Sequence, residues 1–111
     1  MHLEQQLKAV TDSLEDAKAE AIVTLKILEQ SADIEAIVIA SARSNQHARG
    51  VANRIKIEVK RLGMKVLGIE GTSTAEWILI DLAEVVVHIM TEQTRDFYKL
   101  EKLWSGSRDE N

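Results

Sequence analysis

The chain has 111 residues, of which 45% are hydrophobic and 29% charged, and a formal net charge of −4; this is the size and composition of one folded domain and excludes a disordered chain. It contains no cysteine and no proline, which excludes disulfide scaffolds, thiolate zinc sites and cysteine nucleophiles. No apolar run approaches the ~18 residues of a membrane span, and the first residues lack the basic-then-apolar pattern of a secretory signal, so the cytoplasm is the expected compartment.

The elements follow in order. Leu3, Leu7, Val10, Leu14 and Ala17 recur every three or four positions, one face of an amphipathic helix. Residues 21–28 are rich in β-branched side chains and predict a strand. Residues 36–40, AIVIA, form a short, continuous apolar run, the pattern of a central strand buried on both faces. Residues 41–45 are a loop in which Ser44 or Asn45 can cap the next helix. Ala48, Val51, Ala52, Ile55, Val59 and Leu62 make that helix's apolar stripe, Arg49, Asn53, Lys56 and Lys60 its mainly basic one, and Gly63 stands where such a helix ends. Residues 64–69 predict a strand and residues 70–74 a loop. Residues 77–82 and 85–90 predict two strands whose link, Ala83-Glu84, is short enough to demand an antiparallel hairpin. Thr91 can cap a last helix running to about Trp104, with residues 105–111 as a frayed tail and residues 1–104 as a single domain. The order α-β-β-α-β-β-β-α predicts an α/β fold: a mixed sheet of about five strands with helices packed on it.

Charge is unevenly spread. Residues 43–65 hold seven basic residues against one acid, Glu58, a net of +6, so the remaining chain carries −10. Such polarity governs steering and partner choice.

The hairpin is the most informative element. With Ala83-Glu84 as a two-residue loop, Leu82 faces Val85, Ile80 faces Val87 and Ile78 faces Ile89. This wholly aliphatic side is the core side. The other side sets Trp77 opposite Met90, Leu79 opposite His88 and Asp81 opposite Val86, a mixture that an ordinary solvated face would not carry. Either a helix covers it, with Trp77 and Met90 in a satellite core, or it stays open for a partner, since tryptophan and methionine are enriched at interfaces.

Chemistry is sparse. Histidines at 2, 47 and 88 are not at ligand spacing, so no metal site is expected. His47 fits a surface or capping role. His88 and Asp81 are diagonal neighbours across the hairpin and can hydrogen-bond, but no nucleophile or third group accompanies them, and a structural or interfacial pair is the expectation. Neither G-x-x-x-x-G-K-[ST] nor G-x-G-x-x-G occurs. A nucleotidyltransferase-like enzyme or nucleotide-binding protein is the alternative reading; Asp81, however, has Leu79 and Ala83 two positions away, where a second metal-binding acid belongs. Arg49, Lys56 and Lys60 offer phosphate contacts to RNA, although no aromatic is interleaved with them as in single-strand readers.

Four stretches carry a resemblance: Glu70-Gly71; residues 75–82, AEWILIDL; residues 85–90, VVVHIM; and residues 94–104, TRDFYKLEKLW. The pattern EG…W-h-h-h-D…V-H-h-h…R-x-x-Y-x-L-E-x-L-W (h, apolar) resembles the ribosomal silencing factors, the RsfS or Iojap-like family. A weaker match runs from residues 36–40 through Ser44, His47 and Ala52, so the likeness spans residues 3–104. It implies a domain similar to the nucleotidyltransferase fold, no enzymatic activity and no cofactor. It further implies binding to the large ribosomal subunit through its fourteenth large-subunit protein, blocked joining of the small subunit, translation repressed when nutrients are scarce, and a homodimer when free. Combined with the hairpin face, it marks Trp77 and Met90 as anchors, Tyr98 as an extension of the patch, and Glu70, Asp81, His88, Arg95 and Glu101 as polar contacts; an Arg95–Glu101 salt bridge is the internal alternative. Leu100, Leu103 and Trp104 are expected in the core. The chain departs from the family pattern at Ala42 and Arg43, where Gly then Thr or Asn is usual, at Lys26, at Glu35-Ala36, and at the Ala83-Glu84 turn, which commonly contains Gly-Asp.

Overall fold

The fold is a computed structural model that describes residues 2–27 and 33–98, the last of these by its backbone alone. The elements are α1 (Leu3–Asp16), β1 (Glu20–Lys26), β2 (Ala36–Ala42), α2 (Asn45–Arg61), β3 (Gly68–Glu70), β4 (Trp77–Asp81), β5 (Val85–Thr91) and α3 (Glu92–Tyr98). The order matches the one read from the periodicities. Residues 99–104 of the expected last helix, Glu101 and the side chain of Tyr98 lie outside the described residues.

The strands form one five-stranded sheet in the order β1-β2-β5-β4-β3. β2 and β5 are parallel, and every other neighbouring pair is antiparallel. The uniform apolarity of β2 suits its place: all seven of its residues are buried. A central strand with helices on both sides needs apolar side chains on both faces.

Alternation then divides the sheet's two faces. Val38, Ala40, Ile78, Ile80, Leu82, Val85, Val87 and Ile89 join Leu7, Val10 and Leu14 of α1 and Ala48, Val51, Ile55 and Val59 of α2 in the main core. These are the aliphatic hairpin face and the helix stripes of the sequence. Each fully enclosed Val, Leu or Ile contributes roughly 1.5–3 kcal/mol of transfer free energy. On the opposite face, Leu25, Ile37, Ile39 and Met90 form a smaller cluster flanked by Val23, Ile27 and Trp77.

The hairpin register is the expected one, with Trp77 opposite Met90, Ile78 opposite Ile89, Leu79 opposite His88, Ile80 opposite Val87 and Asp81 opposite Val86. The Leu82 N–H donates to the Val85 carbonyl at 2.9 Å to close the turn. Ser44 caps α2, accepting from the His47 N–H at 3.0 Å, and Gly63 follows its end at φ +88°. The strand expected over residues 64–69 is shorter and shifted. Gly68 pairs with Asp81, the last residue of β4, so residues before Gly68 have no strand to pair with. Only the Leu67 N–H reaches back, to the Asp81 carbonyl at 2.8 Å.

Candidate functional site

Trp77 opens β4, and the loop before it is tightly built. Gly71 has φ +90°, and a Cβ there would lie 2.1 Å from the Trp77 carbonyl oxygen, so only glycine fits. The Ala75 N–H donates to the Gly71 carbonyl at 2.8 Å. From α2, the Arg49 guanidinium donates to the carbonyls of Thr72 (2.8 Å) and Ser73 (2.7 Å), and the Asn45 amide to that of Thr74 (2.8 Å). The basic helix therefore fixes where β4 begins.

The face predicted to bear the anchors proves half closed. On β4, Trp77, Leu79 and Asp81 are half-buried; on β5, Val86, His88 and Met90 are buried. Met90 was expected as an exposed anchor and is instead fully enclosed, 0% exposed, among Leu25, Ile37 and Ile39. The reason is sheet order: β5 lies between β2 and β4, and α3 returns over β5 and β2. Trp77 packs at the margin of that cluster and is half-buried.

His88 is likewise inside rather than on the surface, and it pairs with Trp77, not Asp81. The Trp77 Nε1–H donates to His88 Nδ1 at 2.9 Å, with ring centroids 5.9 Å apart and planes tilted by 54°. Burial pushes the His88 imidazolium down to about 4, because the charged form loses its hydration. The ring is thus neutral, and its proton lies on Nε2 since Nδ1 accepts. Asp81 accepts the Ala83 N–H at 2.9 Å, closing its own turn.

Arg95 also departs from the expected surface role. It is buried, donating to the Ala21 carbonyl at 2.6 Å and to Ser41 Oγ at 2.9 Å. It ties α3 to β1 and β2. Glu70 is exposed at the end of β3, and Glu76 is exposed beside Trp77. Of the proposed RNA-contacting residues, Arg49 is committed to the 72–73 carbonyls, whereas Lys56 is half-buried and Lys60 exposed. His47 is structural: its Nδ1 accepts the Arg43 N–H at 3.0 Å and its Nε2 lies 2.8 Å from the Ala17 carbonyl.

Sequence reasoning passed over Phe97, which is 77% exposed. It lines a cleft of about 590 Å³ at the ends of β2 and β5, with Arg43, Ser44, Glu76 and Glu92. Its spacing from Leu100 and Trp104 groups it with a core stripe; the signal that would have separated it is Arg95, which takes the inward position of α3. Among the described residues no cluster of three or more His, Asp or Glu could hold a metal ion, and no helix is long and apolar enough to cross a membrane.

The family described as "Ribosomal silencing factor during starvation" (RsfS) matches residues 1–111. A ribosomal silencing factor from Chromobacterium violaceum is 32% identical over 108 residues, covering 97% of this chain and 88% of the relative. A crystal structure of a protein from Chromobacterium violaceum superposes with a TM-score of 0.91 at 31% identity, over 95% of this chain and 88% of that one. A more distant relative, the mouse "Mitochondrial assembly of ribosomal large subunit protein 1", is 27% identical over 83% of this chain and 42% of its own length. The chain belongs to the ribosomal silencing factor family, the RsfS or Iojap-related proteins, and its role lies in ribosome silencing.

Proposed function

We propose that this protein docks on the large ribosomal subunit through the fourteenth large-subunit protein, occupies surface needed by the small subunit, and so represses translation by steric exclusion in the cytoplasm. The carrying observation is Trp77: a half-buried residue that opens β4 at the margin of the Leu25, Ile37, Ile39 and Met90 cluster, with the exposed Glu76 directly before it and the exposed Glu70 paired with Leu79 on the same sheet face. An indole is a frequent hot spot. Carboxylates around it suit a basic ribosomal partner and speed encounter. The mouse relative's name, which places it in assembly of the ribosomal large subunit, supports that subunit as the target. Tyr98 and Glu101 extend the same reading toward the chain's end, Lys56 and Lys60 add contacts to ribosomal RNA, and the free protein forms a homodimer. No turnover is required: blockade lasts as long as the complex does.

Sedimentation of purified large and small subunits tests this directly. With the protein present, joined particles decline and the protein travels with the large subunit. Trp77→Ala keeps the fold, because the ring lies at the core's margin, and weakens binding by at least ~1 kcal/mol, a usual hot-spot threshold. Unimpaired joining at saturating protein, or unchanged binding of a folded Trp77→Ala variant, would remove the proposal or its site respectively.

A further inference from the structure

We infer that the outward face of α2, notched at Gly50 and flanked by Arg54 and Lys60, seats the sugar–phosphate backbone of a double-helical RNA. The inference rests on the ribosomal reading above and deepens its RNA contact by assigning Gly50, Arg54 and Ile57 to that surface.

Gly50 has no explanation inside the chain. It stands within α2, Asn45–Arg61, where glycine weakens a helix relative to alanine. A Cβ there would meet nothing within 4 Å. Neither a left-handed turn, as at Gly63, nor a close internal approach, as at Gly71, asks for it. The remaining use of a missing side chain is room for something outside the chain.

The neighbours of Gly50 say what that is. At 3.6 residues per turn, Gly50 falls within about 20° of Ile57, with Arg54 about 60° to one side of Ile57 and Lys60 about 60° to the other. All four are exposed, Ile57 by 56%. Among the described residues, neither Arg54 nor Lys60 makes an ion pair or a side-chain hydrogen bond. The one acid of the helix, Glu58, is engaged by Arg61. A second copy packed α2 on α2 would set Arg54 and Lys60 against their own counterparts, within a segment, residues 43–65, that carries +6; like charges so placed repel. A phosphate backbone is attracted by the same cations and releases counterions as it meets them. α2 has no Phe, Tyr or Trp, so unpaired bases have nothing to stack on. A duplex instead presents phosphates and 2′-hydroxyls to be met by shape. Asn53, exposed next to Gly50 on the helix surface, offers an amide to those hydroxyls.

The test measures binding of the full chain, at low salt, to a dye-labelled RNA duplex of about 16 base pairs, the span a double-stranded reader covers. Urea midpoints are taken alongside. Gly50→Ala should raise the midpoint, because helix propensity improves, yet weaken duplex binding ~threefold, and Gly50→Leu should weaken it ~tenfold. Arg54→Glu should lower the salt slope of log K by about 0.9. One strand of the duplex alone should bind at least ~tenfold more weakly. Undiminished duplex binding by a folded Gly50→Leu protein overturns the inference, as does a parent that fails to bind the duplex. If Gly50→Leu instead breaks up a dimer of the free chain in sedimentation velocity and leaves duplex affinity unchanged, the face belongs to a second copy and the inference falls. Because no ribosome enters these measurements, failure of the Trp77 docking reading, seen with large subunits, and failure of this inference, seen with the duplex, are read separately.

Discussion

A histidine enclosed beside an indole loses the water that its charged form needs, and that fixes a pH dependence. His88 falls from 6.5 to about 4 in the folded protein because burial strips its charged form of water. Between those values the unfolded chain binds a proton that the folded chain refuses, so stability rises with pH across the window and is lost as pH falls from 6.5 toward 4. The full effect is on the order of 3 kcal/mol. Urea midpoints at pH 7, 5.5 and 4.5 should therefore decline for the parent, and His88→Asn should flatten the decline; equal slopes would show that His88 titrates normally. At this scale the sequence was unevenly legible. Trp77 could be picked out because it interrupts an otherwise simple alternation. The enclosure of Met90 could not, since it depends on Leu25, Ile37 and Ile39, which only the sheet order brings near. Arg95 was hidden for the same reason: the carbonyl it holds lies 74 residues away in the chain.

Among elements, local rules carried further. The two-residue link alone set the hairpin register, and each expected cross-strand pair is present. Ser44 and Gly63 bracket α2 as cap and stop because both roles depend on chemistry within one turn. The third strand was misplaced because its length depends on where a partner strand ends, and β4 ends at Asp81. The glycines on either side of β3 give a sharp contrast. Gly63 and Gly71 both have positive φ, but a side chain at 63 meets nothing within 4 Å, whereas one at 71 meets the Trp77 carbonyl at 2.1 Å. Gly63→Ala should cost only the left-handed backbone penalty, ~1–2 kcal/mol. Gly71→Ala carries the same penalty plus a backbone clash, should cost at least ~3 kcal/mol, and should displace Trp77. Equal denaturation midpoints for the two variants would contradict the close approach at Gly71. If the displaced indole is the anchor, Gly71→Ala also weakens ribosome binding in conditions where it remains folded, and Gly63→Ala does not.

For the whole molecule, charge decides how docking responds to salt. Residues 43–65 carry +6 and the rest −10, while Glu70 pairs with Leu79 on the sheet face that bears Trp77 and Glu76 directly precedes Trp77. Two electrostatic contributions to ribosome binding then have different signatures. Carboxylates facing a basic protein act mainly on the encounter rate. Cations facing RNA phosphates release counterions, and each contact removed lowers the salt slope of log K by about 0.9 on a duplex and about 0.7 on a single strand. Of the three residues proposed for RNA contact, Arg49 is held by the 72–73 carbonyls, which leaves Lys56 and Lys60 as the pair to test. Lys56→Glu with Lys60→Glu should therefore reduce the slope by roughly 1.4–1.8 and weaken binding at low salt, because both positions lie on the polar side of α2 and the core beneath is unaltered. Titrations of large subunits at two or more salt concentrations measure this. An unchanged slope would confine recognition to the protein-facing anchor, and the basic helix would then serve chiefly to hold, through Arg49 and Asn45, the loop from which Trp77 is presented.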